Sequence, residues 1–495
     1  MAGRSRETPL VGGWLGMCAL LACNVASLAY FIRSFLDDRR RRRTATRPVA
    51  NAAGVHPPPA DDDDDVAIQP PSSEQHYIAA VAPGAVLNLE LGDPTMYEPF
   101  WRGVGPRATT VIPGSDTMSY FSDAGELCWF LEPEFERAVR RLHRVVGNAA
   151  VDDDGDGGGA YHFVVGNGAT QLFQAAVYAL SCDADEESKP VPVVSAAPYY
   201  STNLQLSGHF RWAGDANAFT GDREYIELVC SPNNPDGAVR EAALSSSSGT
   251  GKPIHDLVYY WPQYTAITVR AAHDIMLFTL SKITGHAGTR IGYATSIAWL
   301  WLHCFIALSD NQWLRLSDCR WALVRDRDVA RKMVYFVDRS TIGVSKDSQL
   351  RATKILGVVS DAYELPRAAA APPPPRLFDF ARRCLAERWR ALRAAVAASS
   401  GAFSLQEETS GYCNFAKQTV AACPAFAWLR CDKDGIEDCA AFLAGLNIVA
   451  RGGEQFGGDA RCVRVNMMDR DQVFDLLVRR IASLKIEQPD YLDAF

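Results

Sequence analysis

"YHFVVGNGATQLFQAAVYAL", residues 161–180, passes from an apolar run through a glycine turn into a helical pattern. A short apolar run bounded by turn residues reads as a buried strand, and apolar residues recurring every three or four positions read as one face of a helix. "EYIELVCSPNNPDG" (224–237), "HDLVYYWPQY" (255–264) and "DIMLFTLSK" (274–282) are expected as three further strands, each running into polar residues at its end. Strands alternating with helices imply an α/β fold: a mostly parallel sheet with helices on both faces and functional groups at the strands' C-terminal ends. After residue 330 the pattern turns helical, in "DSQLRATKILGVVSDAY" and "FDFARRCLAERWRALRAAVAA", which are split by the loop at 368–375. The chain closes with "RCVRVNMMDRDQVFDLLVRRIASL", a strand and then a helix. The expected organisation is a large domain over 81–345 and a smaller C-terminal domain over 346–495.

The chain has 495 residues, 48% of them hydrophobic, enough for one large or two interlocked cores. A net charge of −8, with no basic stripe interleaved with aromatics, argues against nucleic acid as a partner. The 13 cysteines are scattered, without the clusters of a disulfide scaffold or a zinc site, which fits a reducing compartment. After a short tail (1–10), residues 11–32, "VGGWLGMCALLACNVASLAYFI", carry no charge and are long enough to span a bilayer. They are read as a membrane anchor, with a cleaved signal peptide as the alternative. Arg33 and Arg39–Arg43 follow this segment, so the positive-inside rule puts the catalytic body in the cytosol. Residues 33–80, with Pro57–Pro59 and Asp61–Asp65, read as a solvated linker.

Four features follow in chain order: "GNGATQ" opening a helix, "SPNNPDG", the Asp-x-x-Tyr of "HDLVYY", and "SKITGHAGTR". Each alone is a common turn or packing element. Together they supply what pyridoxal 5′-phosphate needs. Its aldehyde requires a lysine amine in a desolvated pocket at a strand end, and Lys282 is the candidate. Its phosphate requires backbone N–H groups at a helix N-terminus, hydroxyls and a guanidinium; Gly168, Ala169, Thr170, Thr279, Ser281 and Arg290 offer these. The ring nitrogen requires a carboxylate, for which Asp256 is suited, and the phenolic oxygen requires donors, met by Asn234 and Tyr259.

"LELGDPTMYEPFW", "MSYFSD", "CWFLEPE", "SPNNPDG", "HDLVYYWPQYT", "SKITGHAGTRIG" and "IGVSKDSQLRATKIL" resemble the alliinase and tryptophan aminotransferase-related family of plants, over roughly residues 85–490. The resemblance implies fold type I of the aspartate aminotransferase superfamily, pyridoxal phosphate as cofactor, and a homodimer with active sites at the subunit interface. It implies Lys282 as the cofactor-binding lysine, and Tyr120 reaching the phosphate from the neighbouring subunit. Tyr199 or Tyr200 is expected to stack on the pyridine ring. It further implies Arg464 holding the substrate's α-carboxylate, with Arg451 as the less favoured substitute. The same core serves transamination or a C–S lyase. Alliinases carry a Cys-rich module that this chain lacks, and the anchored layout resembles the tryptophan aminotransferase-related branch. That branch implies conversion of L-tryptophan to indole-3-pyruvate in auxin synthesis, with a 2-oxo acid as acceptor, at the endoplasmic reticulum.

Two departures stand out. Residues 293–320, Trp-rich and without periodicity, interrupt the pattern "TRIGWAL", and their excision restores it without a seam. They are read as a retained intron or gene-structure error, and a chain that keeps them is open to being inactive. Asn167 and Ala169 stand where small hydroxyl residues are expected.

Overall fold

The longest apolar runs assemble into one seven-stranded sheet. This computed structural model describes residues 82, 84–151, 161–181, 190–200, 210–221, 224–244, 251–288, 319–364 and 373–484, all within a unit spanning Ile78–Phe495. After a short strand β1 (Leu87–Asn88), the sheet is built from β2 (His162–Asn167), β3 (Val191–Ser195), β4 (Phe210–Asp215), β5 (Tyr225–Cys230), β6 (Gly251–Asp256), β7 (Ile275–Thr279) and β8 (Cys319–Val324). Their spatial order is β2-β8-β7-β6-β5-β3-β4. β8 runs antiparallel to both its neighbours, and the pairs from β7 through β4 are parallel. Such a sheet is buried on both faces, which is why its strands read as continuous apolar runs.

The helices are α1 (Glu98–Val104), α2 (Pro133–Val146), α3 (Ala169–Ser181), α4 (Leu280–Thr284), α5 (Arg327–Thr341), α6 (Lys346–Glu364), α7 (Leu377–Ala398), α8 (Cys439–Gly445) and α9 (Asp471–Ala482). α5 starts where Asp326 accepts hydrogen bonds from the N–H groups of Asp328 (2.7 Å) and Val329 (3.0 Å), and this cap fixes the turn out of β8. Trp321 on β8 is fully buried, stacked on Phe163 and Phe278, and donates its indole N–H to His143 Nε2 at 3.2 Å.

The C-terminal part forms a second sheet. β9 (Phe403–Leu405) precedes the hairpin β10 (Ser410–Cys413) and β11 (Gln418–Ala421); then come β12 (Phe426–Cys431), β13 (Ile448–Val449), β14 (Arg451–Gly452) and β15 (Cys462–Asn466). The sheet order is β14-β15-β12-β9, while β13 pairs in parallel with β1. Residues 87–88 are thus joined to 448–449.

One expectation is corrected here. "HDLVYYWPQY" is not a strand: β6 ends at Asp256, and residues 257–264 form buried turns closed by Tyr260 N–H to Leu257 O and Tyr264 N–H to Trp261 O, each 3.0 Å. Pro262 has no N–H for a ladder, and Trp261 and Tyr264 are both buried instead of alternating across a sheet. β8 begins at Cys319, so Cys319 and Arg320, read as the end of the insertion, lie in the central sheet opposite Thr279, Gly166 and Asn167. Cys431 and Cys439 form a disulfide. The tail, anchor and linker (1–10, 11–32, 33–80) and residues 293–318 lie outside the described residues, among which no helix is long and apolar enough to cross a membrane.

Candidate active site

β5, β6 and β7 end at Cys230, Asp256 and Thr279, and these three residues share the wall of one cavity of ≈580 Å³. Lys282 enters it from α4, the single helical turn that follows β7. Thr279 caps that turn, its hydroxyl accepting from Ser281 N–H and donating to Ser281 Oγ, each at 3.1 Å. The turn stops at Gly285, whose φ of 81° suits glycine, and a Cβ there would fall 2.6 Å from the Tyr97 ring. From the far side, Tyr264 donates its hydroxyl to Lys282 O at 2.8 Å, and Gln263 donates to the Lys282 and Ile283 carbonyls, each at 3.2 Å.

The Lys282 ammonium donates to the carbonyl of Gly92, which follows β1. A Cβ at Gly92 would approach Lys282 Nζ to 3.0 Å and Phe426 Cζ to 2.7 Å, so only glycine leaves the amine its place. Gly92, Gln263, Tyr264 and Phe426 had no role in the sequence reading. "LELGDP" and "HDLVYYWPQYT" were both quoted there, but contacts between distant segments leave no spacing signal.

The expected cofactor residues converge in large part. Ala169, Thr170, Asn234, Asp256, Tyr259, Thr279, Ser281, Lys282 and Arg464 all line the cavity. Gly168, at φ 99°, turns the chain from β2 into α3, so that the helix N-terminus with its free N–H groups meets the cavity. Asp256 stands beside Cys230 in register, and burial raises the Cys230 thiol well above its ordinary value. Tyr259 is buried edge-on to Tyr264 and Phe426; burial raises its pKa well above the usual phenol range, so it is a neutral donor.

Arg464 is 3% exposed. It donates to Asn234 Oδ1 at 3.0 Å and to the Glu90 carbonyl, and its guanidinium carbon lies 4.2 Å from the centre of the Phe426 ring. Its Nε is buried without a partner, no carboxylate pairs with it among the described residues, and burial pulls its pKa down to about 10. A buried cation left in this state is an anion site.

Two of the expected residues do not line the cavity of their own chain. The Tyr199 ring packs edge-on against Trp212 at 4.9 Å and lies over Gly457, and it is Tyr200, one residue on, that lines the cavity. Tyr120 is 70% exposed and away from the cavity. Arg290 lies outside the described residues. Asn167, where a hydroxyl was expected, donates through Nδ2 to Thr341 Oγ1 and Gly343 O and so ties β2 to the end of α5.

The family described as Allinase matches residues 87–297 and 315–485. The chain belongs to the alliinase family. Tryptophan aminotransferase-related protein 2 of Oryza sativa subsp. japonica is 58% identical over 416 residues, 82% of this chain and 75% of the relative. Tryptophan aminotransferase-related protein 1 of the same plant is 50% identical over 486 residues, 95% of each chain. Alliin lyase of Allium cepa var. aggregatum is 30% identical over 406 residues, 80% of each. Among solved structures, an aminotransferase from Staphylococcus aureus superposes with a TM-score of 0.50 at 16% identity, covering 83% of this chain and 96% of that one, and so shares the fold.

This alliinase-family chain is therefore a pyridoxal phosphate enzyme of the aspartate aminotransferase fold. The cavity fits that cofactor: an amine at the end of β7, a carboxylate at the end of β6, a neutral phenol and a helix N-terminus face one space. Lys282 would hold the aldehyde carbon, Asp256 the ring nitrogen, Tyr259 and Asn234 the phenolic oxygen, and the α3 N-terminus with Thr279 and Ser281 the phosphate.

Proposed function

We propose that this protein transaminates L-tryptophan to indole-3-pyruvate, with a 2-oxo acid as amino acceptor, in auxin synthesis. The observation that carries the reading is Arg464, a buried cation aimed into the cavity of Lys282 without a carboxylate of its own, which suits an amino acid's carboxylate. The choice of tryptophan over an S-alkyl-cysteine sulfoxide is supported by 58% and 50% identity to the two rice relatives against 30% to the onion alliin lyase.

Pyridoxal phosphate, when bound, supplies an aldehyde that condenses with amines and a ring that draws electrons away from the substrate's Cα. The chain supplies position and proton transfer. Arg464 and Asn234 hold the α-carboxylate, which turns the Cα–H bond toward Lys282 Nζ, the base that takes and returns that proton. Asp256 keeps a positive charge on the ring nitrogen, and Tyr259 remains protonated to donate. Phe173, Phe426, Leu91 and Val258 line the same space with apolar surface that excludes water and suits an indole.

In the same reading the protein is a homodimer in which Tyr120 serves the neighbouring site. Residues 11–32 anchor it in the endoplasmic reticulum membrane with the catalytic body in the cytosol. Purified protein given L-tryptophan and pyruvate is expected to form indole-3-pyruvate. Pyruvate released from S-alkyl-cysteine sulfoxides, without indole-3-pyruvate from tryptophan, overturns the assignment in favour of the lyase. Lys282→Ala is expected to lose both turnover and the cofactor's visible absorbance band.

A second reading has one observation of its own: residues 298–314 are unmatched by the family, inside the 293–320 segment. On that reading the segment is a retained intron, and the chain carrying it is impaired at the phosphate side of the site. Sequencing cDNA across codons 292–321 decides whether it is transcribed.

A further inference from the structure

β3 and β5 are parallel neighbours, and each is followed by a segment that delivers one residue to the cavity wall: Tyr200 after β3, Asn234 after β5. One guanidinium outside that wall ties the two segments together. Arg240 donates Nη1 to Ala196 O at 2.8 Å and to Pro198 O at 3.1 Å. Its Nη2 donates to Asp236 Oδ2 at 2.6 Å, in an ion pair whose side chains are only 19% and 16% exposed. Asn233, 4% exposed, donates Nδ2 both to Asp236 Oδ1 at 2.8 Å and to Pro198 O at 2.9 Å. The Arg240 N–H closes the circuit on Ser231 Oγ at 2.9 Å. Pro198 O, two residues before Tyr200, therefore accepts from both Arg240 and Asn233, and Asn233 stands next to Asn234.

A strand fixes the chain up to its last ladder bond, and the loop beyond it needs its own partners. The planar fork of a guanidinium holds two carbonyls and a carboxylate at set angles, which the single ammonium of a lysine does not reproduce. Asn234 has its amide oxygen taken by Arg464 at 3.0 Å, so its NH2 group is the donor left for the cavity, and the position of that donor follows the loop.

We propose that Arg240 is a positioning residue for the cofactor: by clamping the segments after β3 and β5 to each other, it sets the Tyr200 ring and the Asn234 amide where the pyridine ring and its phenolic oxygen require them. This rests on the cavity being the pyridoxal phosphate site, and it holds for a transaminase and a lyase alike.

The test compares the full chain loaded with pyridoxal phosphate against Arg240→Gln and Arg240→Lys, at temperatures where circular dichroism shows each protein folded. A donor at the phenolic oxygen favours its ionised form. A displaced Asn234 is therefore expected to raise the pH midpoint of the cofactor's visible absorbance band by about one unit in Arg240→Gln, the scale of one weakened charge-assisted hydrogen bond. The Kd for the cofactor, from absorbance titration, is expected to rise about tenfold, as the loss of one ring-on-ring contact implies. Arg240→Lys keeps a charge beside Asp236 and is expected to fall between the two. A lower melting temperature with midpoint and Kd unchanged shows Arg240 to serve stability alone and overturns the proposal, as does an Arg240→Gln protein indistinguishable from the parent. If Arg240→Gln does not fold, Asp236→Asn, which removes the carboxylate that seats the guanidinium, takes its place; a smaller shift in the same direction supports the proposal and none overturns it. A parent protein without a visible band, or with one that survives Lys282→Ala, overturns the cofactor site itself and the role of Arg240 with it.

Discussion

Lys282 takes its direction from atoms outside its own motif. Its carbonyl is gripped by Tyr264 and Gln263, and its amine meets the carbonyl of Gly92. Gly92→Ala would set a methyl group against both the amine and Phe426. We expect kcat/KM to fall about 100-fold, the scale of a misplaced reacting group, with the melting temperature nearly kept; near-normal kinetics would show that the amine has room to spare. Tyr264→Phe removes the buried hydroxyl that bonds both Lys282 O and the Tyr97 hydroxyl and is expected to destabilise the fold by about 1–3 kcal/mol, read from a urea midpoint. At this scale Lys282, Asp256, Tyr259 and Asn234 were legible because their chemistry and strand-end positions coincide. Tyr199 against Tyr200 was not, because two adjacent identical side chains point in different directions and no local pattern tells them apart.

β8 is the element on which the chain's departure from its family bears. Trp321 follows the 293–320 segment immediately, yet it packs between the rings of Phe163 and Phe278 and pairs in register with Val165 and Phe278. Trp321→Ala is expected to cost about 3–5 kcal/mol by chemical denaturation, the range for emptying a large buried aromatic site. Excision of 293–320 would bring Ile291 and Gly292 to the two positions before Trp321 that Cys319 and Arg320 occupy. The shortened protein should keep β8, melt no lower than the full chain and hold its cofactor at least as tightly, measured by thermal melts and absorbance titration. A lower melting temperature would mean that the segment supports the fold. The α/β sheet was readable from its apolar runs, because strands buried on both faces announce themselves. β9 to β14 are two to six residues long, too short to carry a period, and the run at 257–264 imitates a strand because turns can be buried and aromatic too.

Across the molecule, three histidines, His143 and His255 buried and His286 half-buried, make stability depend on pH. Burial pulls His143 down to about 4, His286 to about 4 and His255 to about 3, the last stacked on His273. These values lie below the unfolded 6.5, so the unfolded chain binds the extra protons first. Stability is full above about pH 6.5 and falls as pH drops toward 4, with a slope of up to about 1.4 kcal/mol per pH unit for each group. Glu227 and Asp469, whose carboxyls burial pushes up, act in the opposite sense nearer the carboxylate range. Urea midpoints between pH 7.5 and 5 check this; a flat profile would mean that these imidazoles are hydrated. The overall fold was foreseen, but the pairing of β1 with β13 was not, because it joins segments from opposite ends of the described chain. A ribosome releases the first of those strands long before the second, by tens of seconds at about 5–20 residues per second. Throughout that interval the segment bearing Gly92 has no partner strand, so the wall that aims the lysine is among the last parts of the catalytic body to form during synthesis.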